Sequence, residues 1–185
     1  MNQSPDMTDD LSHLAQLIKQ KAVVFERVTL SSGQQADFYI DLRRVTLDVE
    51  VAPLIGKVMC ELVADWHPQM AGGLTLGADP VVSAMVHASS LGNQPLSGAI
   101  VRKSAKTHGL QRQVEGPDVK GKRVVAVEDT STTGGSVLTA VDAMRAAGAT
   151  VVGVAVIVDR GARAAVESAG LDYRAAISLA ELGLD

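Results

Sequence analysis

The stretch from Val124 to Val137, VVAVEDTSTTGGSV, constrains this chain more than any other. An apolar run ends in two adjacent carboxylates, Glu128 and Asp129. The hydroxyl-bearing residues Thr130, Ser131, Thr132 and Thr133 follow, then Gly134, Gly135 and Ser136, then apolar residues at helical spacing. That order reads as a strand, a tight loop and a helix. Such a loop offers backbone N–H groups and the helix offers its positive end, so the junction suits a phosphate. Gly134 and Gly135 permit positive φ and a close backbone approach. A plain turn with Asp and Thr as helix caps explains one or two of these residues, but not an acidic pair followed by a Thr/Ser/Gly run. No lysine follows the glycines, as a Walker-type loop requires, and the GxGxxG dinucleotide fingerprint is absent. One phosphate monoester beside a polyol, such as ribose 5-phosphate, fits instead. Ionised carboxylates only accept hydrogen bonds, and two at a strand end can hold a pair of ribose hydroxyls.

The surrounding pattern predicts an α/β protein. Residues Met1 to Met7 read as a loose tail, and Thr8 as the cap of a helix with an apolar face of Leu11, Leu14, Leu17 and Ile18. Val28–Leu30 and Phe38–Val45 read as two strands around the turn Ser31-Ser32-Gly33, and Val51–Trp66 as a helix. Strands are then expected at Gly72–Leu76, Ala99–Lys103, Arg123–Asp129, Val151–Val158 and Tyr173–Leu179. Helices are expected from Pro80 to about Ser90, over Gly135–Ala147 and from about Ala162 to Ser168. Strands alternating with helices imply a parallel sheet covered on both faces, with ligands beyond the carboxyl ends of the strands. Four loops fall at those ends: Gly77–Asp79, Lys103–Gly109, Asp129–Gly135 and Asp159–Gly161.

Composition narrows the partners. The 185 residues suffice for one domain with a full core, and with aromatics at only 3% that core must come from Val, Leu, Ile and Ala. A net charge of −4 argues against general nucleic-acid binding, which needs a basic surface. Within this acidic chain Arg102, Lys103, Lys106 and His108 crowd into RKSAKTHG, at the start of a long polar loop. Most charge runs are solvated faces. This one leaves the sheet at its ligand-binding edge, where it suits a closing lid that meets a pyrophosphate. Arg160 follows a strand and suits a planar carboxylate, gripped by two parallel hydrogen bonds; an Asp159–Arg160 surface pair is the alternative. Phe38 and Tyr39 point to opposite faces of a strand, so one can stack on a planar ring while the other is core. Cys60 has no internal disulfide partner and sits in an apolar helical pattern, which makes it a packing residue. His13, His67 and His87 have no metal-triad spacing. Nothing resembles a signal peptide and no apolar run spans a bilayer, so a cytoplasmic protein without membrane contact is expected.

The Val124–Val137 stretch resembles the phosphoribosyl-pyrophosphate signature of the type I phosphoribosyltransferases. FERVTLSSGQQADFYIDLRRV (Phe25–Val45), RKSAKTHG (Arg102–Gly109) and VDR (Val158–Arg160) resemble the orotate phosphoribosyltransferases, in the same order and at similar spacing. The resemblance implies a single domain over residues 1–185, with a central, mostly parallel sheet flanked by helices. An N-terminal hood would come mainly from about residues 20–45 and a mobile lid from about 103–116. It implies transfer of ribose 5-phosphate from 5-phosphoribosyl 1-pyrophosphate (PRPP) to orotate in pyrimidine biosynthesis, with Mg²⁺ held mainly by the substrate rather than by direct protein ligands. Glu128 and Asp129 would hold the ribose 2′ and 3′ hydroxyls, and Thr130 to Ser136 the 5′-phosphate, with Thr132 also near the base. Arg160, Phe38 and Tyr39 would receive orotate. Arg102, Lys106 and His108 would reach into the partner subunit of a homodimer, with Lys103 serving its own site. Asp37, Arg43 and Arg44 would shape the hood or the dimer contact. The chain departs from the family at Ser31 and Gly77, where many relatives carry a lysine on the pyrophosphate side. A purine or uracil enzyme of the same superfamily, or a regulator that keeps the pocket as a sensor, are the alternatives. Arg160 speaks against the first and the acidic balance against the second.

Overall fold

The computed structural model describes residues 5–25, 28–29, 35–36, 38–104 and 112–184. Helix α1 (Pro5–Lys21) precedes four short strands, β1 (Val23–Val24), β2 (Val28–Thr29), β3 (Gln35–Ala36) and β4 (Tyr39–Ile40). Then come α2 (Arg43–Thr46), α3 (Val51–Leu62), β5 (Met70–Leu74), α4 (Ala78–Ser89), β6 (Ser97–Val101) and β7 (Val114–Glu115). The remainder is β8 (Arg123–Ser131), α5 (Gly135–Ala146), β9 (Thr150–Asp159), α6 (Arg163–Ser168), β10 (Tyr173–Ser178) and α7 (Leu179–Leu182).

Six strands form one sheet in the order β10-β9-β8-β5-β6-β7, parallel throughout except for β7, which runs antiparallel to β6. The central strands are apolar on both faces, and the strand period of two sorts their side chains into two cores. Val125 and Val127 of β8, with Ala155 and Ile157 of β9, join Leu14, Ile55, Met59 and Met85 from α1, α3 and α4. Val124 and Ala126, with Val154 and Val156, join Val137, Val141 and Met144 from α5 on the opposite face. The carboxyl ends of β5, β6, β8 and β9 therefore share one rim, and every loop singled out from the sequence leaves from it.

Four expectations are corrected. Helix α1 starts at Pro5, since a proline's missing N–H costs nothing in a first turn. Met7 is thus a buried core residue rather than tail, and Thr8 lies inside the helix, its carbonyl accepting from the Ser12 hydroxyl at 2.9 Å. The segment Phe38–Val45 is extended only at Tyr39–Ile40 and becomes helical at Arg43, because a helical turn buries both Leu42 and Val45. Strand β2 pairs with β3, and β4 pairs with β1, both antiparallel, so the two expected strands are not partners. Helix α3 ends at Leu62, and a separate 3₁₀ turn, Ala64–Trp66, completes the expected helix. The turn Ser31-Ser32-Gly33, Asp37 and the lid residues Lys106 and His108 lie outside the described residues.

Candidate active site

The acid pair closes the end of β8, although the strand runs on past it. Thr130 pairs with Val158 and Ser131 with Asp159, so the loop shrinks to Thr132–Gly134. Glu128 is only 5% exposed. Burial, then the neighbouring Asp129 charge, raises its pKa above the ordinary glutamate range. Burial also raises Asp129, against the pull of a 2.6 Å hydrogen bond from the Thr130 N–H and the nearby Arg43 guanidinium. The Asp129 N–H donates to Glu128 Oε1 at 3.2 Å. The turn after β5, whose Thr75–Leu76 peptide is cis, presses directly on these acids. A Cβ at Gly77 would stand 2.6 Å from Glu128 Oε1 and 2.9 Å from Asp129 Oδ1, so only glycine fits that approach without displacing a carboxylate. Asp79, in the first turn of α4, adds a third acid whose charge also raises Glu128. Its Oδ2 accepts from the Thr75 hydroxyl at 2.8 Å, and its Oδ1 is buried without a hydrogen-bond partner. The Thr130 hydroxyl is buried and unpartnered as well.

The neighbouring loop has the opposite character. Thr132, Thr133, Gly135 and Ser136 are exposed. Gly134 caps α5 in the left-handed region at φ 80°, which favours glycine. Of the two glycines that permit a positive φ, only Gly134 uses it; a Cβ at Gly135 would meet only the Thr133 hydroxyl, at 3.6 Å. The first intrahelical bond runs from the Leu138 N–H to the Gly134 carbonyl, at 2.9 Å. The N–H groups before it point out of the helix end, where an anion can accept from them. Ser131 is buried in the strand rather than in the loop, and its carbonyl accepts from the Arg160 N–H at 3.0 Å.

That bond sets the β9–α6 turn against the phosphate loop. Asp159 is not paired with Arg160. Its Oδ1 accepts from the Gly161 N–H and from the Tyr173 hydroxyl, each at 2.9 Å. The Arg160 guanidinium makes no hydrogen bond or ion pair with a described residue. Phe38 packs against the first core, whereas the Tyr39 hydroxyl accepts from Arg43 at 3.4 Å, and Arg43 in turn lies close enough to Asp129 to lower it. At the end of β6, Arg102 Nη1 lies 3.9 Å from Glu115, and Lys103 is exposed. One backbone and one side-chain bond join the two sides of the lid base: Arg102 N–H donates to the Gln113 main-chain carbonyl at 2.8 Å, and the Gln113 side-chain Nε2 donates to the Arg102 carbonyl at 3.1 Å. Strand β7 thus falls inside the stretch expected as lid. Asp79 and Tyr173 were missed in the sequence. An acid just inside a helix start, in the loop Gly77-Ala78-Asp79, was the available signal for the first.

A buried acid pair beside an open helix end, on the rim of a mostly parallel sheet, is the arrangement expected of a phosphoribosyltransferase, and the chain belongs to that family: residues 72–174 match the phosphoribosyl transferase domain. The orotate phosphoribosyltransferases are its branch. The enzyme of that name from Streptomyces avermitilis is 59% identical over 182 residues, covering 97% of this chain and 100% of the relative. The structure of Mycobacterium tuberculosis orotate phosphoribosyltransferase in complex with Fe(III) dicitrate superposes with a TM-score of 0.86 at 54% identity, covering 95% of this chain and 99% of that one. The same enzyme in complex with PRPP matches at a TM-score of 0.82 and 49% identity, with the same coverage.

Proposed function

We propose that this chain transfers ribose 5-phosphate from PRPP to orotate, giving orotidine 5′-monophosphate and pyrophosphate. The observation that carries the reading is the meeting of a buried acid pair, an exposed helix end and a guanidinium without a partner among the described residues on one rim. The amides before Leu138 and the hydroxyls of Thr132, Thr133 and Ser136 take the 5′-phosphate. Glu128 and Asp129, once ionised, accept from the ribose hydroxyls and fix C1 toward the base. Arg160 takes the orotate carboxylate with two hydrogen bonds, and Tyr39 supplies the aromatic face while Phe38 stays in the core. N1 of orotate then bonds to C1 as the C1–O bond to pyrophosphate breaks, and the N1 proton is released to solvent. The protein supplies no nucleophile; it orients both substrates and meets the charge gathering on the leaving group with Arg102, Lys103, Lys106 and His108.

Among the described residues no three metal-ligating side chains are grouped to cage an ion. The unpartnered Asp79 oxygen beside Glu128 and Asp129 nevertheless suits the water shell of a cation that arrives with the diphosphate. Bound Mg²⁺ would neutralise part of the diphosphate charge. No helix among the described residues is long and apolar enough to cross a membrane, which accords with a cytoplasmic site of action.

A second copy of the chain supplies the partner. A groove of about 1180 Å³ lies along α3 and α4, edged by Leu47, Leu76 and Leu91, which are 73%, 64% and 93% exposed. Arg43, Leu76 and Asp79 line the same groove, so the surface runs into the site and a lid can cross it. Patches of this kind mark interfaces. A Leu91→Glu substitution is expected to yield monomers in sedimentation.

The test of the activity is a spectrophotometric panel with PRPP and Mg²⁺. Turnover of orotate, with hypoxanthine and uracil inert, is expected; turnover of either of those in its place rejects the substrate.

A further inference from the structure

Arg160 stays available although a carboxylate precedes it in the chain, and the reason lies on another strand. The Tyr173 hydroxyl, at the start of β10, donates to Asp159 Oδ1 at 2.9 Å, and the same oxygen accepts the Gly161 N–H at 2.9 Å. Both bonds turn the Asp159 carboxylate away from its neighbour. Tyr173 is itself fixed at two points: Arg163 donates to its carbonyl at 3.1 Å and lies over its ring at 5.0 Å from the centroid. The Tyr173 residue is 5% exposed, so its hydroxyl has little access to water in exchange. Gly161 follows at φ 108°, and a Cβ there would stand 3.8 Å from the Thr132 carbonyl oxygen.

We propose that Tyr173 is a positioning residue for base recognition: by occupying Asp159 it keeps that carboxylate from capturing Arg160 and so leaves the guanidinium open to a carboxylate on the base. The inference rests on Arg160 being the group that reads the orotate carboxylate. Without the tyrosine hydroxyl, Asp159 loses one of its two partners, and Arg160, the next residue in the chain, is a cation with which it can then pair. A half-exposed intramolecular ion pair then competes with the ligand. Such a pair is worth a few-fold in binding, not orders of magnitude, and it acts on one substrate only.

Steady-state kinetics of Tyr173→Phe, Arg160→Ala and the double variant Tyr173→Phe/Asp159→Asn tests this. In Tyr173→Phe the KM for orotate is expected to rise about fivefold, with kcat and the KM for PRPP unchanged. In the double variant, which removes the competing charge, the orotate KM is expected to return to the wild-type value. A purely structural role for Tyr173 would not be rescued by a second substitution beside it. An unchanged orotate KM in Tyr173→Phe, a parallel rise in both KM values, or no recovery in the double variant overturns the proposal. If Arg160→Ala leaves the orotate KM unchanged, the reading of Arg160 itself falls and takes the inference with it. If Arg160→Ala raises it and Tyr173→Phe does not, only the positioning role falls. Should Tyr173→Phe fail to fold, Asp159→Asn alone decides: an orotate KM at or below the wild-type value is expected, and a rise overturns the proposal.

Discussion

The acid pair and the phosphate loop are neighbours on one strand–helix junction, yet they are built from opposite materials. The acids are side chains, buried, crowded by Gly77 and Asp79, and costly to ionise in the empty protein. The loop is backbone, exposed, and needs only one glycine in an unusual conformation. On the proposed reading one half would hold its ligand through groups that oppose folding, and the other through groups any helix end provides at no cost. The contrast predicts that substitutions in the two halves will separate activity from stability in different ways.

The largest effect is expected at the acids. Glu128→Gln keeps the shape but replaces an acceptor-only carboxylate with an amide that also donates, and turnover should fall roughly a hundredfold. Activity near the wild-type level would mean that the buried acid does not hold the ribose. Next is Gly135→Ala. The fold has room for the methyl, which on the proposed reading would crowd the 5′-phosphate. The KM for PRPP should rise about tenfold with the melting temperature unchanged or raised, since alanine favours a helix over glycine. Third, Gly134→Ala strains a left-handed cap and should cost about 1 kcal/mol in denaturant titration. Equal stability losses at the two glycines would erase the distinction between them.

The smallest effect is the most diagnostic. Burial raises Glu128, so the fold favours its protonated form. The penalty is absent below the ordinary glutamate range, grows as pH rises through it, and is complete above the raised folded value. Glu128→Gln lacks the penalty. Its melting temperature should exceed that of the wild type by about 2–4 °C at pH 8, and the gap should close toward pH 4. A gap independent of pH would show that charge burial is not its source.

Much of this was readable in the chain, and what was not has identifiable causes. Alternating strands and helices announce themselves through period and length, and β5, β6, β8, β9 and β10 lie within a few residues of expectation. The end of β8 was misplaced because Thr130 and Ser131 look like loop by composition; pairing with β9 outweighs that preference. Val45 looks like strand by propensity, and the burial of Leu42 beside it decides for helix. Strand β7 is two residues long and carries no periodic signal. At the site, the acid pair and phosphate loop are contiguous in sequence and so were legible. Tyr173 meets Asp159 across strands, and Asp79 bears on Glu128 from another element although its hydrogen bond to Thr75 is local; neither long-range contact is encoded in a local pattern.

The two rungs joining β6 to β7 have a consequence for how the chain tolerates change. Ile100 pairs with Glu115 and Val101 with Val114, and Arg102 and Gln113 clasp one another just beyond. Sheet pairing thereby resumes immediately on the far side of the intervening segment. A protease nick or an inserted peptide between those clasped residues would leave the two fragments bound to each other as a folded whole, with the strands on both sides still paired.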